Sequence, residues 1–410
     1  MSLQKTRTIM KFNFDEEITR GGTSCIKWEF IDEGDTLRFH DQSDPKYGRD
    51  RLLPMWVADM DFRCPPAVIE AVVDRAQQGV YGYSSPCDSY FEAVINWMDQ
   101  HHGWSVQRDW ITLSPGVVPA IYMMVQAFVK PGDKVLVQRP VYYPFFDAIK
   151  NNGAEIVSNS LRYDDGQYEM DFVDLAQKAA DPDLKMAILC SPHNPVGRVW
   201  SREELVRFGE ICIDNGVLVV ADEIHCDLIY GDSSFTSFTN ICDDFAQNSL
   251  VCTAASKTFN LAGLKTSNII TPNQELRERF EDVLLRNGIY GANPFGLVAV
   301  EAAYRFGKQW LDEVMNYIED NYRFMESYIA DHIPQLKIVK PQGTYLVWVD
   351  FREVGFDAES RKSLLMEKAK VYLDEGELFG PEGAGFERFN IACPRSILEE
   401  ALERISAVVK

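Results

Sequence analysis

The first place in this chain where residue types suggest chemistry is the pair Ser256-Lys257, in the run SKTFNLAGLK. The apolar run LVCTAAS (250–256) precedes the lysine. A strand there would bury the lysine stem and leave its amine beyond the strand end. A desolvated lysine gives up its proton more readily and can condense with a carbonyl to form a Schiff base. Ser256 offers a hydroxyl and Lys265 a second cation, a pair suited to holding a phosphate near that amine. A surface loop is the ordinary explanation of a lone Ser-Lys pair, so companion motifs decide. In ADEIH (221–225), Asp222 closes the apolar run VLVVAD (217–222). A carboxylate at a buried strand end is unfavourable unless a cation meets it. A protonated pyridine nitrogen is such a cation. Asp222, Glu223, His225 and Asp227 could instead form a metal set, but strand alternation turns Asp222 and Glu223 to opposite sides.

Four further motifs extend the pattern. In SPHNPVGRVW (191–200), Pro192 and Pro195 stiffen a turn that presents Asn194. Its amide can donate to a phenolate oxygen, although a plain Asn-Pro turn has the same sequence. In SPGVVPAI (114–121), Gly116 opens a helix whose first N–H groups, with those of Val117 and Val118, make an anion site. In RPVYYPFF (139–146), an aromatic side chain can stack on a flat ring or pack in the core. In NIACPRS (390–396), Arg395 follows an apolar strand, where a guanidinium can clamp a carboxylate or simply face solvent. Together these groups suit pyridoxal 5′-phosphate (PLP) and an amino acid, with no metal required.

Elements that would position these residues are legible in the hydrophobic pattern. Runs 67–78, 90–103, 116–129 and 201–216 have helical periodicity. Short apolar runs at 134–138, 186–191, 217–222, 250–256 and 266–271 read as strands. The alternation predicts an α/β fold with a mostly parallel sheet between helices. Ligands bind such sheets beyond the carboxyl ends of the strands, where the motifs fall. After residue 320 the pattern changes to helix 321–333, strand 344–351, helix 359–373, strand 388–393 and helix 398–409. That predicts a smaller α+β domain. The expected division is an N-terminal arm (1–60), a large cofactor-binding domain (61–305) and a small C-terminal domain (306–410).

Composition narrows the class. With 410 residues and 46% hydrophobic content, the chain can bury more than one domain core. A net charge of −21 argues against nucleic acid or an anionic membrane as partner. The opening MSLQKTRTIM lacks the apolar stretch of a signal peptide, and no apolar run has the length of a membrane span. Nine scattered cysteines without a C-x-x-C pair read as reduced thiols of a cytoplasmic protein.

Taken in order, the motifs resemble those of the fold-type I PLP enzymes, the aspartate aminotransferase-like superfamily, across nearly the whole chain from about residue 12. RGGTSCIKWE (20–29), WVADMDF (56–62), YGYSSP (81–86), ADEIHCDLIY (221–230) and SKTFNLAGLK resemble the MalY/PatB subgroup of cystathionine β-lyase and cystalysin-like C–S lyases more closely. The resemblance implies a seven-stranded large-domain sheet and a homodimer with active sites at the subunit interface. It implies that Lys257 carries the cofactor as an internal aldimine and acts as base, and that Asp222 pairs the ring nitrogen. Asn194 and His225 would lie near the ring oxygen, and Tyr142 would stack on the ring. Gly116, Val117, Val118, Ser256 and Lys265 would hold the phosphate, with Tyr83 reaching across from a partner. Arg395, Asn194, Tyr143 and Ala58 would contact the substrate. Most aminotransferases of the superfamily carry tyrosine where His225 stands, so the implied reaction is α,β-elimination from L-cystathionine or L-cysteine-type amino acids. A class I/II aminotransferase is the alternative, and a regulatory protein retaining the fold is a third. Three positions depart from the pattern: Ala254 for a phosphate-binding Ser or Thr, Lys265 for arginine, and KWE for KWD.

Overall fold

The apolar runs between the helices come together as one sheet of seven strands. These are β1 (Ile111–Ser114), β2 (Lys134–Val137), β3 (Glu155–Ser158), β4 (Leu184–Cys190), β5 (Leu218–Asp222), β6 (Ser249–Thr253) and β7 (Ser267–Ile270). Their order across the sheet is β1-β7-β6-β5-β4-β2-β3. β7 runs against both of its neighbours, and every other pair is parallel. The computed structural model describes residues 12–409 apart from Asp35, Asp165 and Asp232. The opening MSLQKTRTIM lies outside the described residues.

The helices around this sheet include α1 (Pro66–Gln77), α2 (Asp88–His102), α3 (Val117–Phe128), α4 (Arg202–Asp214), α5 (Ala255–Thr258), α6 (Pro294–Phe306), α7 (Lys308–His332) and α8 (Arg395–Val408). Strands covered on both faces can be apolar at every position, and β5 is buried throughout. Its side chains still alternate. Val220 packs with α3 residues such as Ala120 and Met124, whereas Val219 and Ala221 pack with Leu205 and Phe208 of α4. β1 and β3 carry weak sequence signals. β1 is only four residues long, and β3 is an edge strand without a buried residue. Among the described residues no helix is long and apolar enough to cross a membrane. All nine cysteines are free thiols, five of them buried.

A second, antiparallel sheet has the order β8 (Lys337–Ile338), β9 (Leu346–Asp350), β11 (Phe386–Asn390), β10 (Asp374–Glu375). Helices α7 and α8 cover it with Ile318, Met325, Leu398 and Leu402. The expected helix 359–373 is shorter than its periodicity suggests. It runs from Ala358 to Ser363, widens into a π turn over Leu364–Ala369 and stops at Lys370, whose φ is +58°. Val371 and Tyr372 then pair in parallel with Leu53 and Pro54, so β-pairing overrides the helical pattern. Beyond that pairing the N-terminal segment runs beside β11. Asn390 N donates to Met55 O at 2.8 Å and Asp61 N to Ala392 O at 2.9 Å.

Asn321 of α7 secures the exit of β11. Fully buried, its Nδ2 donates to the carbonyls of Ile391 and Cys393, both at 2.9 Å. Asn321→Ala strands both carbonyls away from water. We expect a loss of about 1–3 kcal/mol, read as a lowered urea midpoint or Tm.

Candidate active site

The carboxyl ends of β1, β4, β5 and β6 open into one cavity of about 150 Å³. Lys257 enters it from α5, the single helical turn that follows β6. Its Nζ donates to the Ala58 carbonyl at 2.7 Å. Burial pulls the amine down to about 8. Asp59 and Asp222 work against that shift, while Arg388 and Lys265 add to it. Asp222, the last residue of β5, is 4% exposed. One hydrogen bond reaches its carboxylate, from Ile224 N at 3.1 Å. Burial pushes this carboxyl up to about 7 despite that bond and the Lys257 charge. A carboxyl in that condition is stabilised by any cation brought beside it.

Asn194 and His225 stand next to these groups. Asn194 Oδ1 accepts from Arg388 Nη1 at 3.0 Å, and its carbonyl accepts from Tyr142 N at 3.1 Å. With Oδ1 engaged, the amide NH₂ is the end left for a ligand. His225 Nδ1 is buried without a partner. Burial, then Lys257 and Arg388, hold the imidazole well below its ordinary pKa, so it is neutral. Gly116 caps α3 with φ +146°, a conformation that L side chains rarely adopt, and a Cβ there would approach Pro119 Cδ at 3.3 Å. The bare backbone leaves the first N–H groups of α3 open to the cavity. Val117, Val118, Ser256, Lys265, Tyr142 and Ala58 line the same space.

Three expected residues lie elsewhere. Tyr83 is fully exposed on a larger open cleft of about 1030 Å³, which shares Pro115, Lys265 and Thr266 with the cavity. Tyr143 packs its ring edge-on against Phe379, with centroids 5.5 Å apart, and does not line the cavity. Arg395 begins α8 and turns away: its Nε donates to Asn321 Oδ1 at 2.7 Å and its guanidinium lies over Phe324. The buried cation at this site is Arg388 of β11. It holds Asn194, the Trp56 carbonyl at 2.7 Å and the Asp374 carboxylate, and its Nε has no partner. The alternation Arg388, Asn390 along a strand is the signal that distinguishes it from Arg395, which follows Pro394 as a helix start.

A backbone strap, Trp56 to Phe62, closes the cavity behind Lys257. Side chains take its carbonyls in turn. Asn390 Nδ2 donates to Val57 O and Asp59 O, both at 2.6 Å, and Tyr345 donates to Ala58 O at 2.9 Å. Asn260 Nδ2 donates to Met60 O and Phe62 O, both at 2.9 Å. Glu29 of the KWE motif accepts from the backbone N–H groups of Gly22, Thr23 and Cys25. It thereby shapes the loop that leads into the strap's ionic partners.

The four residues weighed as a metal set do not converge. Glu223 turns away to accept from Phe238 N at 2.7 Å. Asp227 accepts from Thr258 at 2.7 Å and Trp97 Nε1 at 3.0 Å, and pairs with His102 Nε2 at 2.8 Å. His102, Cys226 and Asp227 form the one group of metal-binding types among the described residues, yet both Asp227 oxygens already have partners. Asp227 therefore ties the segment carrying Asp222 and His225 to the turn carrying Lys257.

A lowered-pKa amine, a carboxyl short of a cation, a neutral imidazole and an open helix N-terminus define a site for a small anionic aromatic aldehyde. On this fold that is an enzyme of the PLP-dependent class. The chain belongs to the aminotransferase class I and II family, whose pattern matches residues 52–405. It is 45% identical to the cystathionine beta-lyase PatB of Bacillus subtilis (strain 168), over 97% of this chain and all of that protein. It is 31% identical to protein MalY of Escherichia coli (strain K12), over 95% of this chain and 97% of that protein. Among solved structures, it resembles PLP-containing cystalysin from Treponema denticola, with TM-score 0.90 and 37% identity over 97% and 99% of the two chains. A PLP-bound C-S lyase from Staphylococcus hominis matches with TM-score 0.89 and 31% identity over 98% and 99%.

The His102–Asp227 pair gives this site a pH signature. Burial opposes the His102 charge, but the Asp227 carboxylate outweighs it and raises the imidazole above its ordinary pKa. The stabilisation is complete below the unfolded value of about 6.5 and is lost as pH rises through the elevated folded value. His102→Gln should lower Tm more at about pH 6 than at about pH 9, with a low-pH cost of roughly 1.5–3 kcal/mol. An equal loss at both values would show that the charge contributes nothing.

Proposed function

We propose that this chain holds PLP on Lys257 and cleaves the Cβ–S bond of L-amino acids of the L-cystathionine or L-cysteine type. The products are a thiol, pyruvate and ammonia. The observation that carries this reading is the convergence of Lys257, Asp222 and Asn194 on one cavity, with Arg388 bonded to Asn194 behind it, in a chain 45% identical to a cystathionine beta-lyase. When bound, PLP supplies an aldehyde that condenses with a primary amine and a ring that accepts electron density from Cα.

The chain's own residues do the rest. With its amine near 8, Lys257 has an unprotonated fraction at neutral pH that can take the Cα proton. Asp222 would pair the ring nitrogen, a cation there offsetting the burial that raises its pKa. Asn194, its Oδ1 fixed by Arg388, offers its NH₂ to the ring oxygen, with neutral His225 beside it. Tyr142 would stack on the ring, and Gly116, Val117, Val118, Ser256 and Lys265 would hold the phosphate. Arg388, rather than Arg395, clamps the substrate carboxylate, with its unpartnered Nε as a free donor. As Lys257 Nζ takes the proton, the Cβ–S bond breaks and the thiolate leaves with the electron pair. A thiol pKa of about 8.5 makes it a fair leaving group. The released 2-aminoacrylate is hydrolysed to pyruvate and ammonia.

The same reading includes a cytoplasmic homodimer in which Tyr83 reaches the partner's cavity. Its full exposure beside a cleft that adjoins this chain's cavity supports that arrangement. Residues 61–305 serve as the large cofactor-binding domain and 306–410 as the small one, joined by the N-terminal segment.

Incubation with L-cystathionine should yield pyruvate without any keto-acid acceptor. Strict dependence on 2-oxoglutarate would assign the chain to aminotransferases. Arg388→Lys keeps the charge but loses the planar fork, and should lower kcat/KM by about 10- to 100-fold. Arg395→Gln should change it little. The reverse ranking would return the clamp to Arg395.

A further inference from the structure

Behind the strap lie two anions and two cations. Asp59 is gripped by Arg20 through Nη1 and Nη2, at 2.9 and 2.8 Å, with Lys27 Nζ at 3.8 Å. Asp61 takes Lys27 at 2.6 Å, Arg20 at 2.7 Å and Trp28 Nε1 at 2.8 Å. The Lys27 side chain has no exposure at all. As a whole the cluster is neutral, so it can be buried without a net charge. It is not neutral in its effect on Lys257. Asp59 is the residue next to Ala58, whose carbonyl receives the amine. The groups that face that amine are Asp59, Arg388, Asp222, Lys265 and the neutral His225, together with the Tyr345 hydroxyl that shares the Ala58 carbonyl. Of the anions, Asp59 favours the ammonium most strongly.

We propose that Asp59 is a positioning residue for Lys257. Gripped by Arg20, it fixes the strap so that the Ala58 carbonyl meets the amine, and it supplies a constant negative charge beside that amine. Arg20 moderates this charge. The device suits an amine that must be free to take a proton and must then retain it. The inference rests on Lys257 being the working amine, as in the reading above, but not on the substrate or the reaction's outcome.

Its test reads the amine directly. Full-length protein stripped of PLP with hydroxylamine is trace-labelled with acetic anhydride across a pH series. Acetylation of the Lys257 peptide is then measured by mass spectrometry against an exposed lysine. Wild type should label with a midpoint near 8. Asp59→Asn should move the midpoint down by roughly one unit, about tenfold more labelling at a fixed pH below it, and Asp59→Glu should restore it. Arg20→Gln leaves the Asp59 charge with only the more distant Lys27 to offset it and should move the midpoint up. Opposite signs distinguish a charge device from a loosened strap, which would move both variants the same way. Shifts of one sign, or no shift in Arg20→Gln, overturn the proposal. Arg20 is partly exposed, so its variant serves even if Asp59→Asn does not fold. A shift of the predicted signs in a protein that yields no pyruvate would leave this inference standing and sink the lyase reading.

Discussion

A lysine amine buried in a small cavity must find an acceptor or give up its charge, and much of the architecture here answers that constraint. Lys257 meets the Ala58 carbonyl at 2.7 Å. That carbonyl belongs to a strap with no regular partner strand over most of its length, so its position depends on the side chains that hold it. Asn390 and Arg388 come from β11, Asn260 from the loop after α5, Tyr345 from the approach to β9 and Lys27 from the N-terminal segment. Residues far apart in the sequence thus set one oxygen. The low dielectric that makes unpaired groups costly also gives each pairing its directional value.

Around the same cavity the seven-stranded sheet and the antiparallel sheet contribute different things. The first delivers backbone ends: Asp222 at the close of β5, Asn194 after β4, the N–H groups of α3 after β1. The second delivers Arg388, which touches Asn194 and the strap together. A substrate carboxylate at Arg388 would therefore press on Asn194 and on the strap that meets Lys257. Substrate binding and alignment of the reacting groups become one event, the condition under which binding energy assists chemistry.

Much of the site was legible because its motifs occupy strand ends and helix starts, where sequence patterns are strongest. Lys257, Asp222, Asn194 and Gly116–Val118 meet where the alternation of strands and helices predicts. For the arginine, RFNIACPRS holds two, and the expectation falls on the one after the strand. Strand alternation puts Arg388 in register with Asn390, whereas Pro394 starts a helix and swings Arg395 toward Asn321 and Phe324. The segment WVADMDF (56–62) stands out as a motif, but the way it is held as a strap does not. Most of the side chain to carbonyl bonds that hold it span 198 to 333 residues and leave no local pattern. Asp227 was likewise grouped with its sequence neighbours, and only the fold sends it to Thr258 and His102.

The proposed chemistry turns on Lys257 being the lysine that carries the cofactor, with Lys265 serving the phosphate. Reducing the PLP-loaded enzyme with sodium borohydride makes the linkage permanent, and peptide mapping then locates it. The account predicts a single phosphopyridoxyl mass, on the peptide containing Lys257. A label on Lys265 or any other lysine, or cofactor released unattached after reduction, would contradict it.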